Sequence, residues 1–216
     1  MGKVVAIDGP SGAGKSTIAK ALAQKLGFQY LDTGALYRAV GLALIERGVS
    51  PESDDAEIKK ALGGIAVTFS DGHVLVNGED FSPRIRTREA GHYSSVFSAR
   101  RPVREFLLPV QKAFAASADI VAEGRDMATV VFPGAWKKFF LDASTRERAG
   151  RRYRQMLDSG KAVTMEDAVQ DVMERDERDS SRDIAPLKVS PDAVYIDSTD
   201  MKPEDVIRRM LEEAAL

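Results

Sequence analysis

The apolar run Val4-Val5-Ala6-Ile7 ends at Asp8, and Ile18, Leu22 and Leu26 then recur at helical spacing as far as Gly27. This pattern predicts a short strand followed by an alanine-rich amphipathic helix with a glycine stop. Phe28-Gln29-Tyr30-Leu31 reads as a second strand, and Leu36, Val40, Leu44 and Ile45 mark a helix that begins near Thr33 and stops before Gly48. Ser50-Pro51-Glu52-Ser53-Asp54-Asp55 has the composition of a linker. Beyond it the period changes from helical to alternating, with Val67 and Phe69, an Asp71-Gly72 turn, Val74 and Val76, then Asn77-Gly78. Two hairpin signals in succession predict a small antiparallel unit, inserted over residues 54–100.

The helical period returns with Val103, Phe106, Leu107, Val110 and Phe114, and Pro109 is expected to kink that helix. Residues 119–123 and 137–142 read as strands buried on both faces, each ending at an acidic residue. Ser144 and Glu147 predict a capping box for the next helix. After a Gly160-Lys161 break, a helix from about Thr164 should turn Ala168, Val169, Val172 and Met173 inward. Residues 192–197 form the last expected strand, and Pro203 opens a closing helix with Val206, Ile207, Met210 and Leu211 on its buried face. Strands alternating with helices predict an α/β fold with a doubly wound, parallel five-stranded sheet, whose ligands bind beyond the carboxyl ends of the strands.

Composition narrows the possible functions. The 31 Lys+Arg and 33 Asp+Glu nearly cancel, so a general pull toward nucleic acid or an anionic membrane is not expected. Without cysteine the chain has neither disulfides nor thiolate metal sites, and a cytoplasmic setting is expected. No apolar stretch approaches the ~20 residues that span a bilayer. The 216 residues fit one domain, and a monomer is expected because no apolar stripe exceeds what the core needs.

The chemistry concentrates first at Gly9-Pro10-Ser11-Gly12-Ala13-Gly14-Lys15-Ser16-Thr17, where residues 9–16 match the phosphate-loop pattern G-x-x-x-x-G-K-[ST] between a strand and a helix. Glycines let backbone N–H groups turn inward around a polyphosphate, and the helix aims its positive end at the same anion. Lys15 supplies mobile charge for the β- and γ-phosphates, and the Ser16 hydroxyl is placed to ligate Mg²⁺. An ATP-binding loop alone does not separate a kinase from a switch, a motor or a sensor. The chain lacks an Asn-Lys-x-Asp guanine-reading motif, and instead carries Arg38, Arg104, Arg125, Arg175 and Arg182.

Longer stretches extend the pattern: Ile7-Asp8-Gly9 and the loop just described, Leu31-Asp32-Thr33-Gly34-Ala35-Leu36-Tyr37-Arg38, Glu123-Gly124-Arg125-Asp126-Met127, Val130-Val131-Phe132-Pro133, and Glu174-Arg175-Asp176-Glu177-Arg178-Asp179 with Arg182 and Ala185-Pro186-Leu187. In these the sequence resembles the bacterial cytidylate kinases, from Val4 to its end. The resemblance implies transfer of the γ-phosphoryl group of ATP, with Mg²⁺, to CMP or dCMP. It implies one kinase domain with a core of residues 1–32 and 101–216, a monophosphate-binding region of about 33–100 enlarged by the antiparallel unit, and a helical lid of about 148–163. Lys15, Arg38 and Arg125 would be catalytic, the last two gripping the acceptor phosphate with Tyr37 beside them. Thr33 stands where family members often have Ser and keeps the hydroxyl. Arg175 and Asp179 match sugar contacts, while Ser95, Arg104, Asp126 and Arg182 match the positions around cytosine. Asp126 has the alternative of a helix cap or a ligand to Mg²⁺-bound water. The lid arginines are Arg148, Arg151, Arg152 and Arg154, of which one or two should touch phosphate. His73 and His92 read as structural. Two other readings stay open: a phosphate-loop kinase for UMP, AMP or shikimate, and a nucleotide-binding regulator without turnover.

Overall fold

The computed structural model describes residues 2–70, 72–158 and 163–214. The chain begins with β1 (Val4–Asp8), α1 (Lys15–Leu26), β2 (Gln29–Asp32) and α2 (Thr33–Glu46). There follow α3 (Asp55–Leu62), the short strands β3 (Val67–Ser70), β4 (His73–Val76) and β5 (Glu79–Asp80), and the helices α4 (Arg88–Phe97) and α5 (Arg101–Ser117). The remainder is β6 (Ile120–Gly124), a π-helical turn (Met127–Val131), β7 (Lys137–Asp142), α6 (Thr145–Asp158), α7 (Met165–Ser181), β8 (Val194–Asp197) and α8 (Pro203–Ala214).

The five longer-range strands pair in the order β2-β6-β1-β7-β8, and every pair is parallel. β1 and β6 lie in the middle of the sheet with all their residues buried, which is why their sequences are almost wholly apolar. Alternation along β1 sends Val4 and Ala6 to a core shared with α2, α5 and the antiparallel strands, and sends Val5 and Ile7 to a second core under α1 and α8. Register then sets the functional edge. Asp8 lies opposite both Gly124 and Phe140, and Asp32 lies opposite Glu123, so the loops after β1, β2, β6 and β7 leave the sheet side by side.

The inserted region holds the expected antiparallel sheet, in the order β3-β4-β5. Its second turn is tight because Asn77 (φ 52°) and Gly78 (φ 85°) both adopt the left-handed region. Of the first turn, Asp71 lies outside the described residues. Phe69 meets Phe114 of α5 at 5.8 Å between ring centroids, which anchors the hairpin to the main fold. The same region also contains α3 and α4, two helices that the change of period does not announce.

α5 continues through Pro109, which is exposed. Three local expectations are corrected. The stretch 50–55 is not wholly linker, since Asp54 caps α3 by accepting the Glu57 N–H (2.8 Å). The capping box at α6 is half formed: Ser144 Oγ accepts the Glu147 N–H (3.3 Å), but the Ser144 N–H goes to Thr199 Oγ1 (2.8 Å) and the Glu147 carboxylate pairs with Arg151. On α7, Ala168 and Val172 are buried and Val169 is half-buried, but Met173 is 55% exposed. The Gly160-Lys161 break lies outside the described residues. Among the described residues, no helix is long and apolar enough to cross a membrane.

Candidate active site

The loop between β1 and α1 takes its shape from glycine backbone that no other residue could adopt here. Gly9 has φ 153°, and a Cβ on it would lie 1.9 Å from the Leu141 carbonyl oxygen of the neighbouring strand. Close packing of the loop against β7 therefore requires glycine. α1 starts directly after Gly14 without a side-chain cap, so its first-turn N–H groups remain for an anion. Lys15 is buried and donates to the Pro10 carbonyl at 2.7 Å. Burial, helped by the Arg125 charge and opposed by Glu123, Asp179 and Asp8, lowers its pKa to about 7. Ser16, next in the chain, is exposed.

Beneath the loop, the buried Asp8 accepts the N–H groups of Met127 (Oδ1) and Ala128 (Oδ2), each at 2.8 Å. This ties the end of β1 to the π-helical turn. Burial raises its pKa to about 6 in spite of those two bonds. Glu123 is buried at the end of β6, accepts the Tyr30 hydroxyl (2.6 Å), and is pushed upward in pKa by burial. Its carbonyl takes the Thr33 hydroxyl (2.6 Å), which joins the start of α2 to β6. Asp32 caps α2 at the Ala35 N–H (2.8 Å) and also receives Arg38 (3.0 Å).

Arg125 and Asp126 are adjacent but serve different neighbourhoods. Arg125 Nε donates to Asp179 of α7 at 2.7 Å, near enough to Lys15 to affect its titration. Asp126, 2% exposed, pairs directly with Arg104 of α5. Its other oxygen lies 3.8 Å from Arg182 Nη2, a buried nitrogen with no hydrogen-bond partner. Burial pushes the Asp126 carboxyl up, and the Arg104 and Arg182 charges hold it down. The Arg104 guanidinium also lies over the Tyr37 ring, 5.7 Å from its centroid. The sheet's functional edge thus carries the phosphate loop with Lys15 and, near it, a buried carboxylate between two guanidiniums.

A sequence model of the cytidylate kinase family matches residues 5–216. The chain belongs to the cytidylate kinase family. A relative named cytidylate kinase from Thermodesulfovibrio yellowstonii is 51% identical over 219 residues, covering 100% of this chain and 99% of its own. Another of that name, from Thermosipho melanesiensis, is 48% identical over 207 residues, covering 96% and 94%. A solved shikimate kinase from Bacteroides thetaiotaomicron has a TM-score of 0.52 at 15% identity, with 99% of each chain covered; that likeness concerns the fold.

In this cytidylate kinase family member the remaining predicted residues fall in several places. Arg175 bridges the phosphate loop and α4, donating to Ser11 Oγ (3.1 Å) and to the Gly91 carbonyl (3.0 Å), and burial lowers its pKa to about 10. Ser95 Oγ accepts from Arg178 (2.8 Å) and reaches Arg104 only indirectly, through Ser98. Arg148 donates to the carbonyls of Ala143 (2.8 Å) and Ser11 (3.1 Å), and Arg151 to that of Ala13 (3.1 Å). Arg152 pairs with Asp171 (2.9 Å), and Arg154 is exposed beside Glu147 (3.7 Å). His73 pairs with Asp80 (3.0 Å) and His92 sits edge-on to Tyr93, in keeping with structural roles. Sequence reasoning assigned nothing to Asp8, Glu123, Asp176 or Arg178. For Asp8 and Glu123 the signal was available, since each is an acidic residue ending a strand buried on both faces.

Proposed function

We propose that this chain transfers the γ-phosphoryl group of ATP to CMP or dCMP, giving ADP and CDP or dCDP. The observation that carries this reading is the buried Arg104–Asp126–Arg182 cluster one peptide away from Arg125. Cytosine offers an N4 amino donor beside its N3 and O2 acceptors, and uracil reverses the pattern at positions 3 and 4. A carboxylate toward N4 and a guanidinium toward N3 and O2 complement cytosine and meet uracil with like against like. The unpartnered Arg182 nitrogen is a donor awaiting such an acceptor.

In the reaction, an oxygen of the acceptor phosphate forms a bond to the γ-phosphorus as the bond to the bridging oxygen of ADP breaks. That oxygen is already anionic, so no side chain needs to remove a proton, and the protein's work is to position and neutralise two polyanions. Arg38 and Arg125 grip the acceptor phosphate. Lys15 leaves the Pro10 carbonyl for the transferring group. Arg175 and Asp179 take the sugar, with Tyr37 and Thr33 lining the acceptor side and Ser95 near the base. Among the described residues no cluster of three acidic or histidine side chains could hold a metal of its own. The donor set fits Mg²⁺ that arrives on the triphosphate, with the exposed Ser16 hydroxyl as its protein ligand. When bound it supplies charge neutralisation at the phosphates.

The division into core, monophosphate-binding region and lid given above belongs to this reading, as do a monomeric state and a cytoplasmic setting. A panel of CMP, dCMP, UMP, AMP and shikimate, with ATP–Mg²⁺ and coupled ADP detection, tests it. ADP should form with CMP and dCMP and far more slowly with the others. Equal or faster turnover with another acceptor, or ADP formation that ignores the acceptor, would overturn it.

A further inference from the structure

Ser11 and Gly12 are held from behind by two helices. A phosphate loop can turn its N–H groups toward the anion only if the intervening carbonyls point away, and those carbonyls then need donors. Arg148 of α6 supplies one to Ser11, and Arg151, one helical turn on, supplies one to Ala13. The Arg148 backbone seats the next residue as well: Gly12 has φ 79°, and a Cβ there would lie 3.1 Å from both Cβ and the carbonyl oxygen of Arg148. With its side chain only 6% exposed, every nitrogen of the Arg148 fork has a partner. Nε goes to the Ala143 carbonyl, Nη1 to the Ser11 carbonyl and to Asp176 of α7 (2.6 Å), and Nη2 to Thr145 Oγ1 (3.3 Å). From the same α7, Arg175 holds the Ser11 hydroxyl.

We propose that Arg148 and Asp176 form a positioning pair that presets the phosphate loop through its backbone, with Arg148 acting on ATP indirectly rather than as a phosphate contact. This rests on the reading of residues 9–16 as the ATP loop. Asp176 orients the guanidinium, the guanidinium fixes the Ser11–Gly12 peptide, and the loop's readiness for ATP depends on α7 being docked on α6. Arginine is required because a lysine cannot serve several acceptors in one plane.

Asp176→Ala separates the two roles by sign. If Arg148 touched phosphate, deleting the neighbouring carboxylate would free positive charge and tighten ATP. For a positioning pair it loosens ATP, by roughly ten- to a hundredfold, the scale of a lost charge-assisted hydrogen bond. Calorimetric titration with ATP–Mg²⁺ in the absence of CMP should give this weaker binding. In turnover, KM for ATP should rise by a similar factor, while kcat at saturating ATP falls less than about threefold and KM for CMP is unchanged. Arg148→Lys should weaken ATP to a similar degree despite keeping the charge. Unchanged or tighter ATP binding by Asp176→Ala, or wild-type binding by Arg148→Lys, overturns the proposal. If Arg148→Lys does not fold, Asp176→Ala decides alone, since that side chain is 29% exposed. Wild-type enzyme that binds ATP but does not phosphorylate CMP would fault the proposed function and leave this test standing.

Discussion

Lys15 is the residue at which burial and function are most directly opposed. A buried ammonium with Arg125 nearby is held at a pKa of about 7, so above that pH much of the nucleotide-free enzyme carries a neutral lysine. A bound triphosphate favours the charged form and must raise the pKa. Binding of ATP at pH 8 should therefore take up a proton through Lys15, and that uptake should shrink as the pH falls through 7, leaving near pH 6 only what Asp8, itself at about 6, contributes. Calorimetry in buffers of different ionisation enthalpy measures this uptake, and a buffer-independent enthalpy at pH 8 would show that Lys15 is charged before ATP arrives. Asp126 poses the complementary problem of specificity. Truncation to Ala would leave Arg104 buried without its counter-charge and Arg182 with Asp179 alone, so Asp126→Asn is the cleaner probe. An amide can turn either its oxygen or its nitrogen to position 4 of the base. The ratio of kcat/KM for CMP over UMP should narrow roughly ten- to a hundredfold, on the scale of one mismatched buried polar pair. A parallel fall for both nucleotides would assign Asp126 to the fold rather than the base.

At the scale of elements, Pro109 makes the sharpest test. Inside α5 it removes a backbone donor and crowds the preceding turn, yet the helix continues through it on its exposed side. Pro109→Ala should stabilise the protein by about 1–3 kcal/mol in urea unfolding, less than the full helix-interior penalty because the unfolded chain also gains freedom. A neutral or destabilising result would mean that the ring contributes packing. The same scale shows where the sequence was legible. Helices with several buried positions, such as α2 and α8, announce themselves by period, whereas α3 buries only Ile58 and Leu62 and leaves too short a stripe to read. α4 is hidden similarly, since of its apolar residues only Ala90 and Phe97 are fully buried. The half-formed box at α6 was misread because a distant residue, Thr199, competes for the Ser144 N–H.

For the whole molecule, the phosphate loop and the alternation of parallel strands with helices follow from local pattern, but the strand order and the site's inner connections do not. The pairs Arg125 with Asp179, Arg104 with Asp126 and Arg148 with Asp176 join segments far apart in sequence, and spacing alone cannot reveal them. They became visible only when the parallel register brought the strand ends to one edge. That edge carries the phosphate loop on one side and the buried Arg104–Asp126–Arg182 cluster on the other, and under the proposed function the phosphoryl group passes directly from ATP to the acceptor held between them. ATP labelled at the γ-phosphate tests this claim most directly, with CMP present and products separated. The label should appear in the β-phosphate of CDP in equal amount to the ADP formed, with no appearance in inorganic phosphate. Label released as inorganic phosphate, or ATP left intact in the presence of CMP, would contradict it.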